Sequence, residues 1–74
     1  MYFVIGANGY LGMYYIKNIL EKTRENIIAV ARTVPIEQRE RVQWVSCDIT
    51  DESQVMNLNR EYFLKSKDNK IIYL

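Results

Sequence analysis

All three glycines of this 74-residue chain fall at three-residue spacing in Gly6-Ala7-Asn8-Gly9-Tyr10-Leu11-Gly12. The run follows the apolar segment Tyr2-Phe3-Val4-Ile5 and precedes an amphipathic one, so it sits where a strand ends and a helix begins. There each glycine has its own task. Gly6 permits the tight turn out of the strand, Gly9 lets the backbone approach a pyrophosphate, and Gly12 lets helix and strand pack closely. The helix N-terminus then offers free N–H groups and a positive dipole end to phosphates. The bland alternative is a turn that merely needs flexible residues, but the βαβ context favours a dinucleotide site. A phosphate loop ending in Gly-Lys-Ser/Thr is excluded, because Gly12 precedes Met13.

Other residue types narrow the chemistry further. Histidine is absent, which removes Ser-His-Asp and Cys-His catalysis and the commonest metal ligand. No spacing of cysteine with acids resembles a zinc site. Cys47 is the only cysteine and has no base to activate it, so a small buried residue is the expectation rather than a nucleophile. At the end of the second strand, where an NAD site usually carries an acid for the ribose hydroxyls, the chain has Arg32 and Thr33, and the nearest downstream acid is Glu37. A guanidinium pairs well with a 2′-phosphate and Thr33 can add a hydrogen bond, so these residues favour NADP(H) over NAD(H). The alternative is that Arg32 is an ordinary solvated residue at a strand end.

The elements that must position these residues read as an α/β chain. Tyr2–Ile5 and Ile27–Ala31 are unbroken apolar runs, as strands buried on both faces are. Between them, Tyr10 to Lys22 is a helix whose apolar positions are Leu11, Tyr15, Ile16, Ile19 and Leu20. Thr33 to Arg41 is polar and holds the only proline, Pro35, which predicts a loop or a single helical turn. Val42–Ser46 reads as a third strand. Asp51-Glu52-Ser53-Gln54 starts a second helix, with an acidic cap facing the dipole and Val55, Met56, Leu58, Tyr62 and Phe63 on its apolar side. After the polar stretch Ser66–Asn69, residues Ile71–Leu74 form a fourth strand. Strands alternating with helices imply a partial Rossmann fold: a four-stranded parallel sheet in the order 3-2-1-4 with two main helices. Trp44 and the tyrosines are expected to pack, Tyr10 excepted because the motif places it beside the phosphates.

Composition sets bounds. Ten Lys and Arg against nine Asp and Glu leave a net charge of +1, too weak a field to argue for nucleic acid or an anionic membrane. The longest purely apolar opening, Met1 to Ile5, is far short of a membrane span and follows no basic stretch, so neither an anchor nor a secretory signal is read, and cytoplasm is the expected compartment. A core this small supplies only roughly 3–5 kcal/mol of net stability.

Val4-Ile5-Gly6-Ala7-Asn8-Gly9-Tyr10-Leu11-Gly12 resembles the opening of the short-chain dehydrogenase/reductase superfamily. Its Gly-x-x-Gly-x-x-Gly spacing is that of the extended and atypical branches, which include nucleotide-sugar epimerases and dehydratases. Cys47-Asp48-Ile49-Thr50-Asp51, after the third strand, resembles the same family's adenine-binding acidic turn. The resemblance implies that backbone at Tyr10 and Leu11 meets the pyrophosphate and that Asp48 with the amide of Ile49 holds the adenine. Asp48 also reads as a plain loop acid ahead of the helix start.

The candidate cofactor-binding residues are therefore Gly6, Asn8, Gly9, Tyr10, Leu11, Gly12, Arg32, Thr33, Asp48 and Ile49. The superfamily's chemistry rests on a Tyr-x-x-x-Lys pair. Tyr14 reaches Lys17 and Tyr62 reaches Lys65, each one residue short. Catalysis of hydride transfer by this chain alone is therefore not expected. The expectation is that residues 1–74 are the N-terminal portion of an NAD(P)-binding Rossmann domain, a fragment of a reductase or epimerase-like protein. A non-catalytic NADP(H)-sensing module is the second reading. A third is a fragment that binds nothing and self-associates through its last strand, whose run Ile71-Ile72-Tyr73-Leu74 has only Lys70 beside it as a charge. The expected partner besides the dinucleotide is a second copy or the C-terminal remainder of the same protein.

Overall fold

A computed structural model describes residues 1–36 and 39–74. The elements run β1 (Tyr2–Ile5), α1 (Tyr10–Lys22), β2 (Ile27–Ala31), β3 (Val42–Ser46), α2 (Glu52–Glu61), a 3₁₀ turn (Phe63–Lys65) and β4 (Lys70–Tyr73). The four strands form one parallel sheet in the order β3-β2-β1-β4, the Rossmann arrangement expected. β1 and β2 lie at its centre, which explains why they are unbroken apolar runs: with both faces covered, no position along them is left for a polar residue.

Strand alternation divides the core into two layers. Val4, Ile27 and Ala29 face α1, where Ile16 and Ile19 meet them and Trp44 and Ile72 close the edges. Phe3, Ile5, Ile28 and Val30 face α2, joined by Cys47, Leu58, Tyr62 and Phe63. The Phe3 and Phe63 rings meet at a centroid distance of 5.2 Å, tilted by 55°.

The rotation of α1 differs from the stripe read in its sequence. Leu11 and Tyr15 are exposed, and the buried positions are Gly12, Ile16 and Ile19. The cause is Gly12, where a Cβ would overlap the backbone of Ala7. The helix can press its first turn onto the glycine loop only with this side inward, which turns Leu11 and Tyr15 outward by about 100° per residue. α2 also buries less than its sequence suggests. Val55 and Met56 are exposed, and Leu58 with the residues after the helix makes the contact. The helix start is as expected: Asp51 Oδ1 accepts from the amides of Ser53 (3.0 Å) and Gln54 (3.3 Å). β4 begins one residue early because the Lys70 amide donates to the Met1 carbonyl at 3.0 Å. Trp44, Tyr2 and Tyr62 pack, but Tyr14 and Tyr73 are exposed, contrary to expectation.

No helix joins β2 to β3 among the described residues. The turn leading into β3 is held instead by Arg41, at φ 70. Its guanidinium donates to the carbonyls of Leu20 (2.8 Å), Thr23 (3.0 Å) and Glu25 (3.2 Å), closing the C-terminal end of α1. Glu25 accepts from the N-terminal ammonium at 2.7 Å and from Lys70 at 3.0 Å.

The contact at Gly12 is the most exacting in the fold. Gly12→Ala is expected to destabilise by about 1–3 kcal/mol, the usual cost of overpacking. Against a net stability of roughly 3–5 kcal/mol, a loss of that size lowers the denaturation midpoint clearly. Urea denaturation followed by circular dichroism checks this, and an unchanged midpoint would contradict it.

Candidate functional site

The carboxyl ends of β1, β2 and β3 open into one cleft of about 530 Å³. Three loops wall it. The glycine turn supplies Gly6, Asn8 and Gly9, the segment after β2 supplies Arg32 and Thr33, and the segment after β3 supplies Asp48, Ile49 and Thr50. Such a crevice outside the carboxyl ends of parallel strands, beside the point where strand order reverses, is where open α/β sheets bind ligands.

The glycine turn has the form its spacing implies. Gly6 sits at φ +81, a conformation that glycine adopts without strain. The Gly6 and Ala7 amides both donate to the Val30 carbonyl, at 2.9 and 3.0 Å, which locks the turn to the end of β2. Gly9 precedes the first residue of α1 without a side-chain cap, and the first turn carries no acid. A Cβ at Gly9 would meet nothing within 4 Å, so the space above this residue is open. Uncapped amides at the positive end of a helix, next to open space, can accept an anion.

Side-chain bonds to the main chain hold the loops together. Asn8 Nδ2 donates to the Thr33 carbonyl at 2.7 Å, joining the glycine turn to the segment after β2. Ser46 Oγ donates to the Arg32 carbonyl at 3.0 Å, joining that segment to β3. Asp48 Oδ1 accepts from the Thr50 amide (2.9 Å) and hydroxyl (2.7 Å), while the Asp48 amide donates to Gln54 Oε1 at 2.8 Å. The Thr50 hydroxyl and amide hold the Asp48 carboxyl below its usual range, and the Arg32 charge across the cleft adds to the effect. Cys47 is buried at the floor. Burial first, then the charges of Asp48 and Asp51, push its thiol up, which keeps it protonated and inert.

Seven of the ten candidate residues thus line one cleft: Gly6, Asn8, Gly9, Arg32, Thr33, Asp48 and Ile49. Gly12 lies buried against Ala7 and acts through packing. Tyr10, 92% exposed, and Leu11, also exposed, are not among the residues lining the cleft. Glu37, considered as the acid downstream of β2, lies outside the described residues. Sequence reasoning missed Thr50, Ser46 and the strap formed by Asn8. Thr50 carries a signal of its own, a hydroxyl two residues after an aspartate, the spacing at which Asp commonly bonds back to the chain. The Asn8 and Ser46 bonds join residues distant in sequence and leave no local trace.

The sequence matches the profile of the NAD dependent epimerase/dehydratase family over residues 2–65, from β1 through the turn after α2. The chain belongs to that family. The family is NAD-dependent, which supports a nicotinamide dinucleotide as the cofactor of this epimerase/dehydratase-family chain. No curated protein and no solved structure matches it. Among the described residues, no helix is long and apolar enough to cross a membrane, and no group of three or more His, Cys, Asp and Glu could hold a metal ion.

Proposed function

We propose that the cleft binds the adenosine diphosphate half of a nicotinamide dinucleotide and that the dinucleotide is NADP(H). The observation that carries this reading is the convergence of Gly6, Gly9, Arg32 and Asp48 on one cleft at the carboxyl end of the sheet. The residues present fit the group. The backbone at Gly9 faces open space where a pyrophosphate needs close approach, and the first turn of α1 offers its amides and no competing acid. Asp48 and the amide of Ile49 are suited to the adenine edge, an acceptor beside a donor. At the end of β2 the exposed side chains are Arg32 and Thr33 rather than an acid, which favours a ribose carrying a phosphate.

A bound nicotinamide dinucleotide supplies hydride transfer. The chain's own residues bind and orient its adenosine half, and among them is no Tyr-x-x-x-Lys pair to exchange a proton with a substrate. Binding is therefore the activity assigned to this chain, as the nucleotide-binding part of a reductase or epimerase-like oxidoreductase. A cytoplasmic setting accords with the single free thiol of Cys47.

One observation favours a second property, association through β4. The Lys70 and Leu74 amides donate to β1, so by strand alternation Ile71 and Tyr73 turn their backbone groups to the outer edge. Their side chains are 56% and 68% exposed. Lys70, the one charge on the strand, is drawn back to Glu25 and stands 5.0 Å from the Tyr2 ring centre, so it does not guard the edge. A second copy, or further chain of the same protein, would extend the sheet here. Light scattering is expected to show a dimer that Ile71→Lys disperses; a monomer at all concentrations would contradict self-association.

Titration calorimetry tests the main reading. NADPH is expected to bind more tightly than NADH, and Arg32→Ala is expected to reduce that preference. Equal affinity for the two dinucleotides, unchanged in Arg32→Ala, would contradict the assignment of NADP(H).

A further inference from the structure

A second hollow, of about 600 Å³, lies on the outer side of the glycine turn. Asn8 and Gly9 line both it and the cleft, so the two meet along these residues. Its remaining walls are Tyr10, Met13, Tyr14 and Lys17 of α1, and Arg39 from the segment between β2 and β3. Two cations from different elements therefore face one groove. The groove's described lining contains no carboxylate.

Arg39 is held where it stands. Its carbonyl accepts from the Val42 amide at 3.2 Å, in the turn that Arg41 fastens to the end of α1. Its side chain also lines a small recess with Met13, Pro35 and Trp44, so its aliphatic stem has apolar support while its charge reaches water. Arg32 is differently placed. It shares the main cleft with Asp48, whose carboxyl its charge helps keep ionised, so part of its field is already opposed by an acid. A dianionic phosphate at the ribose end of the cleft is left with a cationic groove just beyond the Asn8–Gly9 rim.

We infer that Arg39, together with Lys17, forms a phosphate subsite that selects a dinucleotide phosphorylated on its adenosine ribose. This rests on the NADP(H) reading above and adds to it the residues that supply most of the discrimination. Arg39 makes the directed contact, because a guanidinium can grip two phosphate oxygens at once, and Lys17 supplies a point charge behind it. The uncapped, acid-free first turn of α1 adds to the same positive field.

Calorimetry with four probes, NADPH, NADH, 2′,5′-ADP and 5′-AMP, separates this from general weakening. In Arg39→Ala/Lys17→Ala, affinity for NADPH and 2′,5′-ADP is expected to fall by about tenfold or more, equivalent to about 1.4 kcal/mol. Affinity for NADH and 5′-AMP is expected to stay within about twofold, because those ligands lack the group that the two cations meet. NADPH affinity in the double variant is also expected to depend less on salt concentration. Each single variant is expected to lie between the wild type and the double variant, and both side chains are exposed, so circular dichroism is expected to be unchanged.

An unchanged NADPH-to-NADH ratio in the double variant, alongside loss of that ratio in Arg32→Ala, would overturn the subsite and leave the NADP(H) reading standing. A wild-type protein that binds both dinucleotides equally would overturn both.

Discussion

The close approach of α1 to the glycine turn governs the rest of the structure. Gly12 lies against the Ala7 backbone with no room for a side chain, and this single contact sets the rotation of α1. Rotation in turn decides that Ile16 and Ile19 enter the core while Tyr10, Tyr14 and Lys17 face water. It also aims the first-turn amides over the carboxyl ends of the strands. Gly6 meets a matching demand by turning the chain at positive φ directly after β1, and the Val30 carbonyl holds that turn by accepting from two successive amides. Core packing and the candidate binding surface thus depend on the same seven residues, which leaves little freedom to change one without the other.

The loops around the cleft depend on a different device. Besides the buried Ala7 and Cys47, polar side chains tie them: Asn8 to the Thr33 carbonyl, Ser46 to the Arg32 carbonyl and, within the third loop, the Thr50 amide and hydroxyl to the Asp48 carboxylate. Such bonds are individually modest, about 0.5–1.5 kcal/mol net. Together they link the glycine turn to the segment after β2, link that segment to β3, and fix the turn after β3. They occupy the carbonyls of Arg32 and Thr33, while the first turn of α1 has no side-chain cap. Asp48 lines the same cleft as Arg32, whose charge helps keep its carboxyl ionised.

Much of this was legible in the sequence, for identifiable reasons. Strands buried on both faces leave unbroken apolar runs, so β1 and β2 were readable to the residue, as was the three-glycine turn between β1 and α1. The parallel order 3-2-1-4 followed from alternation of elements and the handedness of crossovers. The buried side of α1 was misread because Leu11 and Tyr15 fit a helical stripe as well as Ile16 and Ile19 do. Only the tertiary contact at Gly12 decides between them. The exposure of Val55 and Met56 was hidden for a related reason, since a short helix with scattered apolar residues does not reveal how much of its face the sheet reaches. Arg39 and Lys17 could not be paired from the sequence because they are far apart and have no motif in common; the fold alone brings them to one groove.

The central claim is that the three loops at the carboxyl end of the sheet bind a dinucleotide together. Amide chemical-shift mapping by NMR during titration with NADPH addresses it residue by residue. Saturable shifts are expected at Gly6–Gly12, Ala31–Thr33 and Cys47–Thr50, with Arg39 and Lys17 joining them for NADPH but not for NADH. Saturable binding whose shifts fall instead on α2 and β4, or no shifts at any dinucleotide concentration, would contradict it.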